Sequence, residues 1–223
     1  MGTATLILGE SGTGKSTSLR NLPSEKTLII QCINKPLPFP SKGWRVRNKD
    51  NPDGNIYRTD KTEKIVKALN NAHHEIIVID DYQAVMVNEL MAKCNERGYD
   101  KFTSIGKNAW DVFRAAGEGS DGRRVYILAH TQTDDFGSVR MKTVGKLVDS
   151  TLVPEGYFTI VLRTHVQNGT YSFSTQTNGN DCCKSPMGMF ESQFIDNDLN
   201  EVDKTICAYY GFNKIQPIKE NVA

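Results

Sequence analysis

Eight residues near the start restrict this chain more than any others: Gly9-Glu10-Ser11-Gly12-Thr13-Gly14-Lys15-Ser16. They fit G-x-x-x-x-G-K-[ST], a phosphate-cradling loop that requires a strand before it and a helix after it. Leu6-Ile7-Leu8, preceded by Thr3 and Thr5, is a β-rich run ending at Gly9. Thr17 to Asn21 reads as the start of a helix, closed by Leu22-Pro23. In that setting the glycines allow backbone angles and close approaches that a Cβ would block. The backbone from Gly9 to Thr17, with Glu10, Ser11, Gly12, Thr13 and Gly14 between, is expected to turn its N–H groups toward a polyphosphate. Lys15 is expected to reach the outer phosphates and the Ser16 hydroxyl to ligate Mg²⁺.

A second motif matches the first. Glu75-Ile76-Ile77-Val78-Ile79-Asp80-Asp81 is a run of four branched apolar residues ending in acids, the pattern of a buried parallel strand. Asp80 is placed to hold Mg²⁺ through its water shell. Asp81 has two readings: it polarises the attacking water, or it caps the next helix. Arg124 to His130 is another buried strand, and it ends in polar residues, His130-Thr131-Gln132. His130 at that tip is a candidate sensor of the terminal phosphate.

Between these motifs the chain reads as follows. Thr27–Gln31 is a strand, and residues 32–59 form an irregular insertion with prolines 36, 38, 40 and 52. Lys35, Lys42, Arg45, Arg47 and Lys49 surround Trp44 there, a mixture that suits a nucleic-acid strand, with a ring tucked onto the domain as the alternative. Asp60-x-x-Glu63 resembles a capping box before a helix marked by Ile65, Val66, Ala68 and Leu69. Two more helices follow, one marked by Val87, Leu90, Met91 and Cys94, the other opened by Ser104 and marked by Ile105, Ala109, Val112, Phe113 and Ala116. Residues 133–146, with Phe136, Arg140 and Lys142, read as a mobile loop or short hairpin. Asn168-Gly169 turns a hairpin over 157–176. A helix over 198–211 opens at Asp198-x-x-Glu201 and closes at Gly211.

Composition narrows the class. A chain of 223 residues, 38% hydrophobic and 24% charged, suits one soluble domain over 1–223. With 27 basic and 26 acidic residues there is no global basic field, so any nucleic-acid contact must be local. The five cysteines contain no C-x-x-C and read as thiols in a reducing cytosol. No apolar run approaches a membrane span and no leader is recognised, so a cytoplasmic protein without a membrane partner is expected.

The order of elements predicts an α/β fold, a mostly parallel sheet flanked by helices with a C-terminal β-hairpin and helix. A strand separates the glycine-loop unit from the acidic strand, and the polar-tipped strand follows, which is the RecA/AAA+ order. With GESGTGKS, EIIVIDD, LAH and the later hairpin with Lys184, the chain resembles the small RecA-like ATP-binding proteins of bacteriophages, including single-strand annealing recombinases, from about residue 3 to 211. The resemblance implies a P-loop NTPase using ATP and Mg²⁺, handling single-stranded DNA as a ring or filament in the host cytoplasm, in company with a replication or single-strand-binding protein. It carries Lys15, Ser16, Asp80 and His130 over as nucleotide residues. It makes residues 131–146 a DNA-contacting loop, so that Phe136, Arg140 and Lys142 join Trp44, Arg45 and Arg47 as candidate DNA contacts. Lys184 stands where related ATPases insert a finger into a neighbour's site, although the arginine expected two residues on is Pro186. The usual glutamate after the second strand is absent from Gln31-Cys32-Ile33-Asn34. Three functions fit: a slow DNA-coupled ATPase, a nucleotide-gated loader with little hydrolysis, and a small-molecule kinase. The last lacks an arginine-rich lid beyond Arg123-Arg124.

Overall fold

The strand that feeds the glycine loop, β1 (Thr3–Gly9), lies inside a mixed sheet between two strands that come much later in the chain. The computed structural model describes residues 2–212; Met1 and residues 213–223 of the predicted domain lie outside the described residues. The strands are β2 (Thr27–Gln31), β3 (Ile56–Arg58), β4 (Ile76–Asp80), β5 (Arg124–Thr133), β6 (Val139–Met141), β7 (Ile160–Gln167), β8 (Thr170–Ser174) and β9 (Phe194–Asp196). Their order is β3-β2-β4-β5-β1-β7-β8-β9, with β6 paired to the end of β5. From β3 to β7 every neighbouring pair is parallel, and β8 and β9 extend the edge antiparallel. The polar-tipped β5 thus inserts between β1 and β4, which is the RecA-like arrangement.

Strand alternation divides the core. On one face Leu6, Leu8, Ile77, Ile79, Val125 and Ile127 meet α1 (Thr62–Asn71), α2 (Gln83–Ala92), α3 (Asp100–Gly117) and α4 (Lys146–Thr151). On the other, Ile7, Ile29, Val78, Tyr126, Leu128 and Leu162 meet Leu19, Trp44, Phe190 and α5 (Leu199–Tyr210). Asp203 of α5 locks onto β5: it accepts from Arg124 Nε and Nη2, both at 3.0 Å, and from the Tyr126 hydroxyl at 2.5 Å.

Several local expectations are corrected. The helix after the loop is a short 3₁₀ segment, Ser16–Asn21, stopped at Leu22, whose backbone is extended ahead of Pro23. The insertion contains a strand, β3, that pairs with β2 through Ile29 and Ile56. The capping box before α1 does not form: Lys61 is its N-cap, and Asp60 instead accepts from Asn88. α3 begins at Asp100, so Ser104 lies inside it and binds Glu89. α2 buries its first turn (Gln83 to Met86), while Val87, Met91 and Cys94 are exposed. Of the two readings of 133–146, the short hairpin holds: Thr131 to Thr133 pair with Val139 to Met141 around the Asp134–Gly137 turn, and Lys146 opens α4. The second hairpin begins at Ile160, after a 3₁₀ turn at Pro154–Tyr157. The Asn168-Gly169 turn and the ends of α5 stand as read, with Asp198 accepting from Asn200 N and Gly211 left-handed. No described helix is long and apolar enough to cross a membrane.

Candidate functional site

Parallel strands deliver their C-terminal ends to one edge of the sheet, and there the predicted residues converge. Gly9 ends β1 directly opposite His130 of β5, and Asp80 ends β4. Gly9 is demanded by close approach: a Cβ there would lie 1.8 Å from Thr164 Oγ1 on β7. Gly14 is demanded twice, by its φ of +95° and by Asn197 and Tyr171 atoms 3.0 Å from where a Cβ would be. Thr13 and Thr164 share a hydroxyl hydrogen bond of 2.6 Å, and Thr164 Oγ1 also donates to the Leu8 carbonyl. The loop is therefore bolted to β7 as well as to its own strand.

Lys15 is buried, and its ammonium donates to the carbonyls of Gly9 (2.8 Å) and Glu10 (2.7 Å). Burial lowers its pKa to about 8, with the Asp81 and Asp80 charges pulling the other way. Ser16 Oγ donates to Asp80 Oδ1 at 2.8 Å, while Asp80 Oδ2 is buried without a hydrogen-bond partner. Burial first and the neighbouring Asp81 second raise Asp80 to about 6. A hydroxyl and a dry, half-satisfied carboxylate side by side are hard oxygen donors, and they fit Mg²⁺. Among the described residues no group of three or more His, Cys, Asp or Glu is placed to hold a metal. Mg²⁺ needs none, because it keeps waters and takes substrate phosphates as ligands.

The cleft above these groups has a volume of about 250 Å³ and is lined by Ser11, Gly12, Gly14, Lys15, Ser16 and Thr17 of the loop, with Asp81 and His130. Glu10 is exposed at the loop's rim. Asp81 does not cap α2, whose N-cap is Tyr82 without a side-chain bond. Its backbone is left-handed (φ 59°), and its carboxylate pairs with Lys35. His130 is held below its usual pKa by burial and then by Lys15, so it is neutral at pH 7.

The remaining candidates do not gather here. Trp44 is 8% exposed and packs in the core with Leu19, Leu22 and Ile56, so it does not stack on a strand. Withdrawing it would cost about 3 kcal/mol of burial. Arg45 and Arg47 are exposed beside the edge strand β3. Phe136 (95% exposed), Arg140 and Lys142 stand on the β5–β6 hairpin, three strand spacings of about 4.8 Å from β3. Lys184 pairs its backbone with Val161 and exposes its side chain, outside the cleft of its own subunit.

Sequence reasoning missed Lys35, Pro36 and Pro38, which line the cleft, and Thr164, Tyr171 and Asn197, which flank the loop. Lys35 was legible only as one more basic residue of the insertion. Pro36 and Pro38 were legible only as prolines of the same insertion, and Thr164, Tyr171 and Asn197 lie more than 140 residues from the loop, where no local pattern marks them.

No protein-family model matches the chain, and no curated protein matches it. Among solved structures, the VirB11 ATPase of the Brucella suis type IV secretion system, determined in complex with sulphate, is similar to it with a TM-score of 0.35 and 13% identity. The match covers 93% of this chain and 51% of that one, so the chain spans about half the length of that ATPase. A likeness this low assigns neither ligand nor activity.

Proposed function

We propose that this chain is a RecA-like ATPase that binds ATP with Mg²⁺ and hydrolyses it slowly, with turnover coupled to single-stranded DNA or to assembly of a ring or filament. The carrying observation is the Ser16–Asp80 pair under the glycine loop, with one buried carboxylate oxygen left unpartnered. Folding gains nothing from such an arrangement, but a phosphate-bound cation would satisfy it. Mg²⁺ would neutralise charge on the outer phosphates. The loop amides and Lys15 would hold those phosphates, and neutral His130 would contact the terminal one. Asp81, the acid that lines the cleft, would orient the attacking water. The water oxygen bonds to the terminal phosphorus as the bond to the bridging oxygen breaks, releasing ADP and phosphate. Positioning and charge supply most of the catalysis in such a transfer.

A nucleotide-gated switch with little hydrolysis is the second reading, and Gln31 favours it. Where a catalytic glutamate is expected, Gln31 is buried and spends its amide on the Lys35 carbonyl and Arg58. The kinase reading loses its lid: Arg123 donates to the Leu69 and Ala72 carbonyls and Arg124 binds Asp203. Support for DNA handling rests on the exposed Phe136 and Arg140 hairpin beside the cleft.

The test is ATP turnover with and without Mg²⁺ and single-stranded DNA, in the native protein, Lys15→Ala and Asp80→Asn. The ATPase reading expects Mg²⁺-dependent turnover that DNA accelerates and both variants abolish. Tight ATP binding with no turnover under any condition selects the switch. Absence of nucleotide binding rejects both.

A further inference from the structure

The nucleotide motif contributes one lysine to the cleft, and the fold contributes another. Lys35 belongs to the insertion, yet with Pro36 and Pro38 it lines the same cleft as Gly12 to Thr17. Its position is built. Gln31 Nε2 donates to the Lys35 carbonyl at 2.8 Å, and Gln31 is in turn held by Arg58 Nε at 3.1 Å. Proline follows Lys35 directly and restricts its backbone. The side chain remains 39% exposed, so its head can move, and it pairs with the Asp81 carboxylate, which is 7% exposed. Its charge is felt by Lys15, His130 and Asp80 alike, which places it among the groups that would surround a terminal phosphate.

Two observations argue against a merely structural ion pair. Asp81 adopts a left-handed backbone, a conformation uncommon outside glycine, at the end of β4 next to Asp80. A latch for the insertion needs no such placement, because Gln31, Asn55 and the buried Trp44 already hold that segment. In addition, Lys15 and Lys35 in the cleft are balanced by Asp81 in its wall and the buried Asp80 beside it only while the cleft is empty. A triphosphate entering with one divalent cation adds net negative charge, and the half-exposed Lys35 is the cation free to answer it.

We propose that Lys35 is a second phosphate ligand of this site, holding Asp81 while the cleft is empty and moving to the terminal phosphate of a bound nucleoside triphosphate, which uncovers Asp81. The proposal rests on reading the cleft as a nucleotide site. It gives the chain, from within itself, the extra cation that a finger from a neighbour would otherwise provide, and it makes the insertion a reporter of the third phosphate.

The experiment is calorimetric titration of a non-hydrolysable ATP analogue and of ADP, each with Mg²⁺, into the native protein, Lys35→Ala, Lys35→Arg and Lys15→Ala, with circular dichroism to verify folding. Lys35→Ala is expected to weaken the ATP analogue about tenfold and ADP by less than about twofold, the loss of one charge-assisted contact. Lys35→Arg should recover most of that loss, and Lys15→Ala should weaken both ligands. If Lys35→Ala weakens both ligands equally, or neither, while the native protein binds them, the role of Lys35 is overturned and the nucleotide site stands. If the native protein binds neither ligand, the nucleotide-site reading fails, and the role of Lys35 with it.

Discussion

Replacing Gly9 by alanine tests whether the glycine loop is shaped by its own sequence or by a strand that arrives 150 residues later. The new Cβ would lie 1.8 Å from Thr164 Oγ1 and 2.8 Å from Thr13 Oγ1. Ordinary contact begins near 3.4 Å, so one side must retreat by about 1.5 Å. Thr164 cannot do so freely: it is 4% exposed and its hydroxyl is tied to Thr13 and the Leu8 carbonyl. The loop is the softer partner, and on the nucleotide-site reading a displacement of about 1 Å there would cost on the order of 100-fold in turnover. Overpacking adds about 1–3 kcal/mol of instability. Thr164→Ala removes the 1.8 Å contact and frees the Thr13 hydroxyl, 2.8 Å from the new Cβ, to rotate away from the partner it has lost, while the Cβ of residue 164 stays 3.2 Å away, a separation small shifts can absorb. The assay is nucleotide affinity and thermal unfolding of Gly9→Ala, Thr164→Ala and the double variant. Gly9→Ala should lose both affinity and stability, and the double variant should regain most of each. A fully functional Gly9→Ala, or a double variant no better than the single one, would refute the steric argument.

Further outcomes are expected. Asp203→Ala strands a buried guanidinium and the Tyr126 hydroxyl. It should cost about 3–5 kcal/mol, read as a lower urea midpoint, whereas Arg124→Met with Asp203→Leu should restore much of it. Asp80→Asn should raise stability at pH 7 while abolishing Mg²⁺-dependent binding. Asp80 is held near 6 against 3.8 unfolded, so its ionisation costs about 3 kcal/mol above pH 6, a cost relieved as pH falls from 6 toward 4. Nucleotide affinity should follow the same groups. It should fall below about pH 6 as Asp80 takes a proton and fall above about pH 8 as Lys15 loses one, with proton uptake on binding on the alkaline side. Truncating Phe136 with Arg140 should leave ATP binding unchanged and remove DNA retention at low salt, if the hairpin is the strand-contacting element.

Local signals carried much of the fold because they act over a few residues. The apolar run Ile76–Ile79 ending in Asp80, the stripe of Ile105, Ala109, Val112, Phe113 and Ala116, the Asn168-Gly169 turn and the Asp198 and Gly211 caps each need only neighbouring residues to be read. Errors came where distant packing overrode that pattern. α2 turned the face of Val87 and Met91 to solvent because its first turn, held by the sharp Asp81 bend, reached the core first. For Trp44 the sequence left two readings, and packing decided for the tucked ring, because the groove beside Leu19 and Ile56 offered it more than water did. β3 and β9 are three residues each, too short to show a period of two.

The chemistry of the cleft divides in the same way. Sequence alone marked the loop glycines, Lys15, Ser16 and Asp80 as candidates, since the phosphate cradle and metal-side acid we propose would require those residue types at the ends of strands. Only the tertiary structure decided which groups complete the site. The β5 insertion between β1 and β4 put His130 beside Gly9, β7 supplied the Thr164 wall, and the folded-back insertion brought Lys35 to Asp81. Those partners meet through parallel pairing and core burial, interactions between segments far apart in the chain, and such contacts leave no period or spacing in the sequence that makes them.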